Sequence, residues 1–135
     1  MTMTMTDAEK VAAVEAYRTT AILGTTDKYQ HGLMRRLLYT DGAKFVADTC
    51  GAHWLIDLIA SWQLKPKVRR EPFQVWSLAA GRKPRECIAV CEDGNGNRVA
   101  SQRIHFSDFP AGLMPFKFWC ERGGDGQTIM LPEER

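Results

Sequence analysis

The sequence predicts an α+β fold: N-terminal helices, about three, packed on one face of a C-terminal antiparallel sheet of four to five strands. Three observations carry this. Apolar residues recur at helical spacing up to residue 63. After Glu71 the pattern becomes strand-like, and Gly/Asn/Pro-rich turns then punctuate it at short intervals. Helices first and strands afterwards imply segregated layers rather than a parallel βαβ sheet. A chain of 135 residues fits one domain, expected over residues 7–135, with enough material for a core without disulfide or metal staples.

The elements follow in order. "MTMTMT" is low-complexity, and residues 1–6 are expected to be disordered. Asp7 is a plausible N-cap, with Lys10 where a capping box would have Glu. Val11, Val14, Ala16, Tyr17, Ala21 and Ile22 form a loose stripe ending at Gly24. A second helix is predicted from about Asp27 to Tyr39. "YTDGAK" reads as a turn and a new helix start, with Thr40 or Asp41 as cap. The third helix is predicted over 42–63, with Gly51 as a bend. Gly51, Trp54, Leu55, Leu58, Ile59 and Trp62 supply its apolar face at 0, 3, 4, 7, 8, 11 spacing. Strands are expected at 72–79, 86–93, 98–106, 116–121 and 128–131. The turns between them are "GRKP", "DGNGN" and "RGGDGQ", with "SDFPAGLMP" as a loop. The central stripe is expected to pack on strands carrying Val75 or Trp76, Ile88 or Val90, and Ile104 or Phe106.

Composition excludes several function classes. A net charge of +2 is too small to imply nucleic acid by itself. The charge is uneven, however: residues 31–70 hold seven Lys/Arg against three Asp/Glu, and residues 107–135 hold three against five. The N-terminus lacks the basic-then-apolar pattern of a secretory signal, and no apolar run approaches membrane-spanning length. The expectation is a cytoplasmic protein with no membrane partner, whose Cys50, Cys87, Cys91 and Cys120 are reduced thiols.

The most reactive-looking stretch is "CGAHWLIDLIASWQ" (50–63). His53 and Asp57 are i and i+4, and Cys50 lies one turn earlier, so the three form a ridge beside the apolar face. An Asp can orient a His as a general base, and a thiol–imidazole pair is a nucleophile unit. This defines the enzyme alternative, with Cys50, His53 and Asp57 as its residues. The favoured reading is a buried boundary ridge in which His53 satisfies Asp57, so that His53→Ala costs about 1–3 kcal/mol of stability. Metal is not expected. Cys87 and Cys91 share a strand face but stand about 13 Å apart at ~3.3 Å per residue, too far to share one zinc. Ser107 and Asp108 in "HFSDFP" fit a local turn rather than a triad. "DGNGN" lacks the signatures of phosphate and calcium loops, and no cofactor is expected. The four tryptophans are read as core residues, with a helix–sheet ligand pocket as the alternative.

"KPKVRR" (65–70) is the densest basic run. With Arg35, Arg36, Arg82, Lys83 and Arg85 it offers a nucleic-acid alternative, but a solvated linker between the helical and sheet halves is favoured. A helix-turn-helix reading of the second and third helices is disfavoured, because the third has only Lys44 to offer as a recognition helix and its centre is core-forming. The expected partner surface consists of Arg35, Arg36, Tyr39, Lys65, Lys67, Arg69 and Arg70, facing a protein rather than nucleic acid.

"LLYTDGAKFVADTCGAHWLIDLIASWQ" (37–63), "FQVWSL" (73–78), "CEDGNGN" (91–97), "FSDFP" (106–110) and "MLP" (130–132) resemble a family of small proteins of unknown function. Its members occur in bacterial genomes, prophages, phages and plasmids, and the likeness covers about residues 28–132. The resemblance carries no catalytic residue or cofactor to transfer. It implies an accessory gene of a mobile element, and hence a non-enzymatic binding or modulatory protein acting on a host or rival macromolecule, anti-defence included.

Overall fold

In a computed structural model, which describes residues 5–21 and 27–135, the chain forms four helices and a seven-stranded sheet. Of the expected disordered tail 1–6, residues 1–4 lie outside the described residues, as does the predicted helix end at 22–24, while Thr6 is held in hydrogen bonds with Glu9. Helix α1 (Asp7–Ala21) is capped one residue earlier than expected. Glu9 N–H donates to Thr6 Oγ1 (3.1 Å) and Thr6 N–H to Glu9 Oε1 (2.9 Å), a complete capping box. The box holds the Glu9 carboxyl below its usual range. Val14 and Ala21 are its buried residues.

The helix predicted over 27–39 is absent. In its place are β1 (Lys28–Gln30) and β2 (Leu37–Thr40), an antiparallel pair with Tyr29 opposite Tyr39. Tyr, Thr and His are weak helix formers, and Gly32 sits in the connecting turn. The deciding contact is remote: β2 pairs in parallel with β7 (Gly126–Met130) at the far end of the chain. Gly126 has φ +123°, and a Cβ there would lie 2.1 Å from the Arg36 carbonyl oxygen. That close approach permits the 2.8 Å bond from Gln127 N–H to Arg36 O.

Thr40 then starts helix α2 (Asp41–Cys50), accepting from Ala43 N–H at 3.2 Å, as expected of it. Glu134 closes the same helix end from the other terminus. Its carboxylate accepts from Thr40 Oγ1 (2.5 Å), Gly42 N–H (3.1 Å) and Leu131 N–H (2.9 Å). The predicted 42–63 helix is two helices. Gly51, at φ +62°, ends α2 in a left-handed cap, and α3 (His53–Trp62) starts after Ala52. Gly51 is therefore a terminator rather than a member of the apolar face. Leu55, Ile56, Leu58, Ile59 and Ala60 of α3 are buried, with Trp54 and Trp62 half-buried at the margins. A short α4 (Pro66–Arg69) occupies the "KPKVRR" run and buries Val68.

The remaining strands are β3 (Phe73–Ala80), β4 (Cys87–Asp93), β5 (Arg98–Ile104) and β6 (Phe116–Gly123). The sheet order is β1-β2-β7-β6-β3-β4-β5, antiparallel except at β2/β7. Gln74, Trp76, Leu78, Cys87, Ala89, Cys91, Phe116, Phe118 and Cys120 alternate onto the buried face, which shares one core with the helices. Small Ala89 and Cys91, not Ile88 and Val90, thus face the core. Half-buried Ile104 packs against that core, whereas Phe106, beyond the end of β5, is 68% exposed. Two turns form as expected. Asp93 accepts from Asn95 and Asn97 N–H (2.8 and 2.9 Å), and Ser107 Oγ accepts from Phe109 N–H (2.9 Å).

Among the described residues, no helix is long and apolar enough to cross a membrane.

Candidate functional site

The sequence places reactive side chains on α3, and the hairpin β1–β2 determines where they point. His31, in the hairpin turn, takes Asp57 away from His53. His31 Nδ1 accepts from Leu33 and Met34 N–H (3.2 Å each), so its Nε2 carries the proton and donates to Asp57 Oδ1 at 2.8 Å. Both ring nitrogens are used, which makes His31 a clamp between hairpin and helix. His53 turns the other way, placing its Nε2 2.6 Å from Asp48 Oδ1, at the end of α2. Asp48 also accepts from Lys44 Nζ at 2.8 Å. The bond from Lys44, and then that from His53, hold the Asp48 carboxyl below its usual range despite partial burial.

The expected His53–Asp57 pair is therefore not formed, and neither residue is buried: the side chains are 53% and 69% exposed. Cys50 is fully buried, and burial pushes its thiol up to about 11, so little thiolate is present at neutral pH. Cys91 and Cys120 are pushed up to about 12 for the same reason. Among the described residues, no three His, Cys, Asp or Glu side chains gather so as to hold a metal ion.

Between the hairpin and α3 lies an open groove of about 730 Å³. Its floor is apolar, made by Met34, Ile56 and Ala60, with half-buried Tyr39 at one side. His31, His53, Asp57 and Ser61 supply its polar margin. Leu33 and Leu64 stand on its lips, 91% and 66% exposed. At Met34 and Leu64 the groove adjoins a second cleft of about 420 Å³, ringed by Arg36, Arg69, Arg70 and Arg122. Gln63 and Gln127 also line this cleft.

Beneath the arginines the polar groups are fully paired. Gln63 and Gln74 exchange reciprocal amide bonds (2.8 and 2.9 Å). Gln74 also donates to Val68 O (3.0 Å) and accepts from Trp76 Nε1 (2.9 Å), while Gln127 donates to Gln63 Oε1 (3.0 Å). This network joins the end of α3, α4, β3 and β7, and so fixes the backbone that carries the arginines.

Of the expected partner surface, Arg36, Tyr39, Arg69 and Arg70 line the groove and cleft together. Arg35 and Lys65 are exposed outside both, and Lys67 lies beside β5 with Trp62 and Arg98. Three contributors were missed from the sequence: Leu33, Leu64 and Arg122. Leu64 and Leu33 break the polar character of two loops, a signal that was readable. Arg122 lies near the end of β6, in a segment read from the sequence as the turn "RGGDGQ", with no local pattern to mark it.

The fold and this surface define a small α+β protein with an apolar groove beside an arginine cleft. Residues 18–135 match the family of unknown function DUF6876, and the chain belongs to that family. No curated protein and no solved structure shows significant similarity to it.

Proposed function

We propose that the chain is a non-enzymatic binding protein that docks a partner protein's apolar segment in the groove between the β1–β2 hairpin and α3. The observation that carries this is the pair of leucines on opposite elements of one groove. An isolated exposed leucine needs no explanation, but Leu33 and Leu64 flank a continuous apolar floor, the arrangement in which side-chain anchors bind. The resemblance to proteins of phages and plasmids gives the context: an accessory protein of a mobile element that modulates a host or rival macromolecule, anti-defence among the roles.

The enzyme alternative now rests on Asp48 and His53, among the described residues the one carboxylate–imidazole pair whose His has an exposed side chain at the groove. Its weakness is the nucleophile. Cys50 is buried, and the Ser61 hydroxyl donates to Leu58 O (2.7 Å) two helical turns from His53.

The test is a selection of displayed random peptides against the folded protein. Binders should carry apolar anchors at helical or extended spacing. They should be lost with Leu33→Asp and Leu64→Asp at unchanged melting temperature, and retained with His53→Ala. Binders indifferent to both leucine changes would remove the groove from consideration.

A further inference from the structure

The arginine cleft has a property that a solvated basic surface does not require. Among the described residues, none of Arg36, Arg69, Arg70 and Arg122 has a carboxylate within ion-pair distance, and no acidic residue lines the cleft. Elsewhere Arg18 reaches Glu133 (3.1 Å), Arg85 reaches Asp7 (3.7 Å) and Arg135 reaches Glu121 (3.1 Å), while among the described residues Arg35, Arg82, Arg98 and Arg103 have no ion pair either; the cleft differs in gathering four such arginines around one concavity. Four guanidiniums around one concavity repel one another, and the fold supplies no counter-charge there. Their backbones are nevertheless held: Arg36 O accepts from Gln127 N–H, and Arg122 Nη2 donates to Arg69 O, tying β6 to α4 across the cleft. Planar guanidiniums on a fixed frame suit bidentate recognition of carboxylates.

We propose that this cleft is a polycarboxylate subsite, which receives an Asp/Glu-rich stretch of the partner protein beside the apolar stretch seated in the groove. The proposal rests on the partner-protein reading and adds the partner's chemistry: an acidic segment with apolar anchors at one end. Continuity favours this over nucleic acid. The cleft runs into the groove at Met34 and Leu64, and the most exposed apolar side chains beside it are leucines rather than the aromatic platforms on which bases stack.

The experiment separates the cleft from the groove by using probes without apolar anchors. Labelled oligoglutamate and an oligothymidylate of equal charge are titrated into the full chain by fluorescence anisotropy at low and physiological salt. Wild type is compared with Arg36→Ala/Arg69→Ala/Arg70→Ala and with an equal charge removal elsewhere, Arg82→Ala/Lys83→Ala/Arg103→Ala. Oligoglutamate should bind wild type and the control alike, and the cleft variant about tenfold more weakly, the size expected for the loss of several partly exposed charge pairs. Oligothymidylate should bind no more tightly than oligoglutamate.

Equal weakening in cleft and control variants would overturn the proposal in favour of generic charge attraction. Tighter oligothymidylate binding, lost in the cleft variant, would overturn it in favour of nucleic acid. No oligoglutamate binding to wild type at low salt would also overturn it. A cleft variant that fails to fold is replaced by Arg36→Ala alone, whose side chain makes no internal bond among the described residues; it should still bind oligoglutamate more weakly than wild type. Because oligoglutamate does not use Leu33 or Leu64, these results stand apart from success or failure of the leucine test.

Discussion

The amide network and the arginine ring meet in one cleft, which Gln63 and Gln127 line together with the arginines, yet they follow opposite rules. Below, Gln63, Gln74, Gln127 and Trp76 satisfy one another, and no buried side-chain nitrogen or oxygen among the described residues lacks a partner. Above, four guanidiniums have no carboxylate. Burial explains the first, because an unpaired polar group in a core costs free energy. Exposure permits the second, because water screens what the fold leaves unpaired. On the proposed reading, the floor supplies stability and the rim recognition.

The sharpest way to break that division is Gln74→Leu. The side chain is fully buried, and its loss strands the Trp76 N–H and removes both bonds that the Gln63 amide makes to Gln74, leaving Gln63 with Ile59 O and Gln127. At about 1–3 kcal/mol for the stranded indole N–H and about 1 kcal/mol for the bonds lost at Gln63, the change should cost about 2–4 kcal/mol in denaturant unfolding. A loss under about 1 kcal/mol would mean that the network is not the anchor of this corner.

Gly126→Ala should follow, at about 1–3 kcal/mol, because the added Cβ meets the Arg36 carbonyl and the residue has φ +123°. It joins the two regions, since the backbone displaced is that of Arg36, immediately before β2. Anion binding by the cleft should fall with stability here, and wild-type binding in the variant would show that the rim does not depend on the β2–β7 register.

What the sequence made legible follows the same division between local and remote causes. Strands β3 to β7 were readable because each lies next to a turn whose Gly, Asn or Asp residues specify it. Thr40 was readable as a cap because capping acts within three residues. The β1–β2 hairpin was not, because its pairing with β7 spans about ninety residues and no local pattern carries it. The groove was hidden for the same reason: its walls come from 31–39 and 53–64, and only the hairpin brings them together. The i, i+4 spacing of His53 and Asp57 was real, but each found a better partner off the helix.

That last point changes an expected magnitude. With Asp57 as its partner in a buried ridge, His53 would matter to stability. Paired instead with a half-exposed Asp48, His53→Ala should cost less than about 1 kcal/mol. The folded Asp48 carboxyl is depressed, so the contribution of its pairs is fully present above the ordinary carboxylate range. It is lost as pH falls through the lowered folded value. A melting-temperature comparison of wild type and His53→Ala near neutral pH checks the first claim. A large loss there would restore a structural role for the imidazole.

The smallest effect tests the rim. Arg36, Arg69 and Arg70 are exposed, and none of their side chains makes an internal ion pair among the described residues. Replacing them with alanine removes like charge from one concavity and no internal bond. The folded state should therefore change by no more than about 0.5 kcal/mol per site, with the sign toward stabilisation at low salt. Salt should erase the gain, because exposed charges beyond about 10 Å are screened near 0.1 M ionic strength. Urea unfolding of the triple variant at low and high salt reads both. The same substitutions that leave stability untouched are expected to weaken oligoglutamate binding, and that opposition is what distinguishes a recognition surface from a structural one. Destabilisation beyond about 1 kcal/mol per site, unaffected by salt, would show that the guanidiniums brace α4 and the hairpin. Floor and rim would then be a single structural unit, and the surface for a partner would have to be sought elsewhere on the molecule.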